Sequence, residues 1–188
     1  MKTHSYFKFY KPYGVLSQFI NNQTKRKNKT LISDLHDFPK GTMAVGRLDE
    51  KSEGLLLLTT DGKFSNDINS SKYEKEYYVL VDGMITNESL KQLEQGIHIT
   101  VNGKPYFTKA LKASLLKDTS SIIPRVVRDK KHGPTSWITI TINEGKFRQV
   151  RKMTSKIGHP TLRLIRARIG DYHIGDLRPG GLLLFNPK

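Results

Sequence analysis

The chain contains no cysteine in 188 residues. Disulfides, cysteine-based metal sites and thiol nucleophiles are therefore excluded. Acidic residues are scarce: 17 Asp and Glu stand against 32 Lys and Arg, a formal net charge of +15. Self-repulsion of that size favours an anionic partner, and nucleic acid is the commonest one. No apolar run is long enough to span a bilayer, and Met1-Lys2-Thr3-His4-Ser5-Tyr6 lacks the apolar core of a signal peptide. A cytoplasmic location is the expectation. No glycine-rich phosphate loop is present, and the six histidines lack metal-ligand spacing. Any enzyme here is expected to work without nucleotide or metal. What the chain does have is 36% apolar residues, enough for a core of one domain or two small lobes.

Read in order, Tyr6-Phe7-Lys8-Phe9-Tyr10 alternates as a strand, Lys11-Pro12-Tyr13-Gly14 turns, and Val15-Leu16-Ser17-Gln18-Phe19 suggests a second strand. Residues 20–30 are polar and basic, either a phosphate-gripping arm or a solvated loop. Leu31 to Leu35 is a short turn or helix. The run Leu55-Leu56-Leu57-Leu58 is a strand, closed by Asp61-Gly62, and a short helix follows over Lys63 to Ser70. Tyr73 to Val81 is another strand. Asn87 is placed to cap a helix with Leu90, Leu93 and Ile97 on one face. From Ile97 to Leu116 the pattern alternates around an Asn102-Gly103 hairpin signal. Residues 117–134 are irregular and basic. Trp137 to Ile142 is a strand. After Glu144-Gly145 the period turns helical: Val150, Met153 and Ile157 form one face and Arg148, Arg151, Lys152 and Ser155 the other, up to Gly158-His159-Pro160. Thr161 to Ile169 and Leu182 to Phe185 complete the strands. Strands outnumber helices and mix with them, which argues an α+β fold.

The centre of this pattern is Gly46-Arg47-Leu48-Asp49, a charged turn between two strands. It puts Asp49 on a loop with a rigid base on both sides, a common place for a working side chain. An ordinary solvated turn aspartate fits the same residues. One carboxylate and a helix with an arginine face can form a single site. A guanidinium beside the acid keeps it ionised and fixes its direction, and such an aspartate can act as nucleophile or base. A strand tyrosine such as Tyr77 can stack on a nucleobase.

Several stretches carry a family resemblance. Lys11-Pro12-Tyr13-Gly14-Val15-Leu16-Ser17, Gly46-Arg47-Leu48-Asp49 with Ser52 and Gly54 to Gly62, Lys75-Glu76-Tyr77, Glu144-Gly145-Lys146-Phe147-Arg148-Gln149-Val150-Arg151-Lys152-Met153 and Gly158 to Arg166 stand in the order seen in RsuA-type RNA pseudouridine synthases. The resemblance covers nearly the whole chain. It implies the pseudouridine synthase fold, a mixed, mainly antiparallel bent sheet with flanking helices and a central RNA-binding cleft. It also implies one catalytic domain over residues 1–188, its two lobes sharing one sheet, acting as a monomer. By resemblance Asp49 is the catalytic aspartate, Tyr77 stacks on the flipped base and assists proton removal from C5, and Arg151 pairs with the aspartate. Leu162 or Leu164 forms an apolar pocket wall. Lys75, Lys146, Arg148, Lys152, Arg163 and Arg166 are expected RNA contacts. Arg47 could hold the gap left by the flipped base, contact a phosphate or form a structural ion pair.

Two departures qualify the match. Many relatives begin with a small S4-type RNA-binding domain, whereas here the first catalytic strand starts within about ten residues. The chain therefore looks like the short RluE branch, which acts on 23S ribosomal RNA. RNA selection then falls to the catalytic domain, with the basic loops at 23–29 and 125–132 as candidates. Second, Phe147 fills a position that is often polar in relatives. The rival expectations are the same reaction on 16S ribosomal RNA or tRNA, and a non-catalytic RNA-binding ribosome-assembly factor.

Overall fold

The computed structural model describes residues 4–20, 28–70 and 72–187. Residues 23–27 of the first basic loop lie outside them. The chain forms two compact units: Met1–Tyr73 together with Arg166–Lys188, and Glu74–Ile165.

In the first unit the strands are β1 (Tyr6–Lys11), β2 (Met43–Val45) and β3 (Glu53–Thr59). The central strand is β3, antiparallel to β1 with Phe9 opposite Leu56, and to β2 with Val45 opposite Leu57. All seven of its residues are buried. Leu56 and Leu58 pack with Phe9, Val15 and Ile32. Leu55 and Leu57 point the other way, to Val45, Ile68 and Ile169. Burial on both faces is why this strand reads as an unbroken leucine run and not as an alternation. The helix α1 (Gly62–Ile68) starts at Asp61, whose carboxylate accepts from the amides of Lys63 and Phe64. The expected strand at Val15–Phe19 does not form. Leu16 makes an isolated parallel bridge with Leu31, with Leu16 N donating to Thr30 O and Ile32 N to Gln18 O. A 3-10 turn occupies Ile32–Asp34.

In the second unit β4 (Lys75–Asp82) alternates buried and half-buried residues. The helix α2 (Asn87–Gln95) is capped by Thr86, whose hydroxyl accepts from Ser89 N, so the cap falls one residue before Asn87. Gly96 ends the helix at φ +107; a side chain there would strike the Phe107 ring. The hairpin of β5 (Ile97–Val101) and β6 (Lys104–Thr108) turns at Asn102 and Gly103, both at positive φ. Then come β7 (Lys112–Leu115), β8 (Thr135–Ile142) and α3 (Gln149–Lys156). Strand β8 lies antiparallel between β4 and β7, and its Ile138, Ile140 and Ile142 are at most 1% exposed. The chain passes from this unit back to the first within β9 (Thr161–Ile169) and ends with β10 (Tyr172–His173) and β11 (Leu182–Leu184), the latter paired with β1. The pairings described in register are all antiparallel, as expected for a mainly antiparallel α+β fold.

Candidate active site

Asp49 is half-buried on the loop between β2 and β3. Its neighbours are held by backbone bonds on every side. Ser17 Oγ donates to Leu48 O at 2.8 Å and accepts from Leu48 N at 3.0 Å. Ser52 N donates to Asp49 O at 2.9 Å, and Gly14 N to Glu50 O at 2.9 Å. Lys11 Nζ joins the two segments, donating to Pro12 O at 2.8 Å, Val15 O at 2.7 Å and Glu50 O at 3.3 Å. At Gly46 the loop enters at φ +69, and a Cβ would stand 2.8 Å from the Asn69 amide oxygen, so this turn needs glycine. Arg47 is exposed.

Lys11 is completely buried. Burial pulls its pKa down to about 8; the negative charges of Glu53, Asp49 and Glu50 oppose this and the Arg166 guanidinium adds to it. A buried ammonium thus lies within electrostatic range of Asp49 and fixes the loop that carries it. Neither Lys11 nor Ser17 was singled out as functional from sequence. The available signal was a lysine closing an otherwise aromatic strand just before proline.

Tyr77, Arg151, Lys75, Lys146, Arg148, Lys152, Leu162, Arg163 and Leu164 belong to the second unit, and Asp49, Arg47 and Arg166 to the first. Tyr77 is 7% exposed on the buried face of β4, opposite Ile140. On α3, the arginine face expected from the spacing is real: Arg148, Arg151, Lys152 and Ser155 line a cavity of about 480 Å³ with His98, Ile99, Thr100 and Lys156. Val150 and Met153 fill the opposite, buried face. The strand-borne His98 and the helix-end Lys156 were not foreseen, since nothing in their spacing marks them.

The start of α3 is fixed by side chains. Glu144 accepts from Thr108 Oγ1 at 2.8 Å, from Gln149 Nε2 at 2.6 Å and from the Tyr106 hydroxyl. Gln149, 3% exposed, also donates to Thr108 Oγ1 at 2.7 Å and accepts from Lys146 N at 2.9 Å. Burial opposes ionisation of Glu144, but the bonds from Tyr106, Thr108 and Gln149 outweigh it and hold its pKa below the ordinary glutamate value. Lys146 lies over the Tyr106 ring, 5.2 Å from its centroid.

Three of the expected RNA contacts are inside. Lys75, Arg163 and Arg166 are 8%, 3% and 5% exposed. Arg163 donates to Ile123 O at 2.8 Å and stands 6.0 Å from the Trp137 ring. Arg166 Nε donates to Leu55 O at 2.8 Å. Burial leaves these three cations less accessible to a phosphate than the exposed Lys146 and Arg148. Lys146 and Arg148 are exposed and Lys152 is half-buried. Leu164 is buried and Leu162 half-buried. In the basic segment 125–132, Arg128 is bound to Asp82 at 2.7 Å.

Residues 5–156 match the RNA pseudouridylate synthase family. The chain belongs to that family, and is an RNA pseudouridine synthase, an isomerase. A Vibrio parahaemolyticus protein named ribosomal large subunit pseudouridine synthase E is 42% identical over 176 residues, covering 92% of this chain and 70% of the relative. A protein of the same name from Xanthomonas axonopodis pv. citri is 39% identical over 173 residues, covering 90% and 87%. A solved structure described as a pseudouridylate synthase superposes with a TM-score of 0.77 at 26% identity, covering 99% of this chain and 72% of that one.

Proposed function

We propose that this enzyme converts one uridine of 23S ribosomal RNA, in the large subunit, to pseudouridine, using Asp49 as the catalytic carboxylate. The observation that carries the substrate is the shared name of relatives matched over about nine-tenths of the chain. The role of Asp49 is supported by its loop, whose backbone is tied at residues 48, 49 and 50.

The reaction breaks the bond between uracil N1 and ribose C1′, turns the base, and rejoins it through C5, with the C5 proton lost and N1 left protonated. Atoms balance without an added group or redox change, so no cofactor is required. The target uridine is flipped out of the RNA, at a cost of about a few kcal/mol. Phosphate contacts from the basic surface offset that cost and make binding weaken with salt. Arg151 and Tyr77 are the other residues assigned to the reaction, Tyr77 stacking on the flipped base and assisting removal of the C5 proton. The enzyme acts as a monomer in the cytoplasm.

The test is to map pseudouridines in ribosomal RNA from cells with and without this protein. One large-subunit site should disappear and return when the gene is restored. Loss confined to 16S ribosomal RNA or tRNA would overturn the substrate, and an unchanged map would overturn the activity.

A further inference from the structure

Phe147 is 66% exposed, between Lys146 and Arg148. A single exposed apolar side chain is ordinary, but this one sits in a setting that is not. Lys152 Nζ lies 5.2 Å from its ring centroid. The next residue, Arg148, adopts a left-handed backbone (φ 54, ψ 32), which costs a non-glycine residue stability and persists only where neighbours impose it. Here Gln149 N donates to Lys146 O at 3.0 Å, and the Gln149 side chain is locked to Glu144, Thr108 and Lys146. The loop is therefore rigid, and it holds an aromatic ring out to solvent. The cavity of about 480 Å³ lined by Arg148, Lys152 and Lys156 begins at the residue beside it.

We propose that Phe147 is a stacking platform for an unpaired base of the substrate RNA, with Arg148, Lys152 and Lys156 holding the adjoining phosphates. This rests on the RNA-modifying reading above and adds a residue that selects the RNA. A fixed aromatic face beside a basic groove is the combination by which proteins hold single-stranded nucleic acid. The ring has only two side-chain torsions to lose, and the side chains flanking it, Lys146, Arg148 and Lys152, are basic, which suits a polyanion and not an apolar protein surface.

The experiment is a binding cycle on large-subunit ribosomal RNA fragments, each carrying one abasic nucleotide, at fixed salt. Phe147→Ala should weaken binding of the intact RNA about 5- to 100-fold, the span of stacking one base on an aromatic side chain, while Phe147→Tyr stays within about twofold. At one unpaired position the abasic substitution should weaken the wild type by a similar factor and weaken Phe147→Ala no further. Equal abasic effects in both proteins at every position would overturn the proposal, as would a Tyr variant as weak as the Ala variant. The cycle reads binding alone, so failure of the catalytic reading shows separately, as wild-type protein that binds these RNAs and forms no pseudouridine.

Discussion

The two anchored segments of this enzyme are built by opposite means. The Asp49 loop is held through its backbone: amides and carbonyls at 48–50 are bonded to Ser17, Ser52 and Gly14, and Lys11 bridges three carbonyls. The head of α3 is held through side chains, with Glu144, Gln149, Thr108 and Tyr106 bonded to one another. A backbone-held loop fixes where a carboxylate starts with few demands on the loop's own side chains beyond the glycine at position 46. A side-chain network fixes particular residues, and so is visible in sequence as a stretch such as Glu144 to Gln149. Both anchors also draw on partners distant in sequence: residues 11 to 17 for the Asp49 loop, and Tyr106 and Thr108 for the head of α3.

Breaking the first anchor should have the larger effect on stability. Lys11→Met leaves three carbonyls without their charged donor and should cost about 3 kcal/mol or more, together with most activity; urea unfolding and a single-turnover assay measure the two. Gln149→Ala should cost about 2 kcal/mol. In hydrogen exchange it should expose residues 144–149 and leave the amides of 46–52 as protected as before. Loss of protection in both segments would show that the two anchors are one.

Acid and alkali should separate the anchors next. Glu144 has a folded pKa below its ordinary value, so the stability it contributes is present above the ordinary carboxylate range and is lost as pH falls through the folded value. Lys11 has a folded pKa of about 8 against an ordinary 10.5. Between those values the unfolded chain binds the extra proton, so this group makes stability rise with pH, relieving a burial cost that is full at neutral pH. Urea midpoints from pH 3 to 10 should show the acid loss shrink in Glu144→Gln, with Asp61, Asp82, Glu88 and Asp118 carrying the remainder, and the alkaline rise shrink in Lys11→Met. The smallest effect is a control outside both anchors. Thr86→Ala should cost about 1 kcal/mol as a lost helix cap and leave the rate of pseudouridine formation unchanged.

Much of this was legible in the sequence, for identifiable reasons. The leucine run of β3, the alternation of β4 and the two faces of α3 follow from burial, which acts on residue type at fixed spacing. The Asn102-Gly103 hairpin follows from backbone freedom. What sequence misread are places where a side chain was taken by a distant partner. Val15 to Phe19 has strand composition, yet it makes an isolated bridge at Leu16, and its Ser17 side chain serves Leu48. Arg163 and Arg166, expected by resemblance to contact RNA, are buried and donate to the carbonyls of Ile123 and Leu55. Lys11 read as the start of a turn, and its ammonium is instead the bridge beneath the Asp49 loop.

The most direct test of the central claim is Asp49→Asn, which keeps the size of the side chain and removes its charge. Pseudouridine formation on large-subunit ribosomal RNA should fall by more than about a thousandfold, the scale expected for a group acting in the chemical step, while affinity for the same RNA stays within a few-fold. Turnover close to that of the wild type would contradict the account.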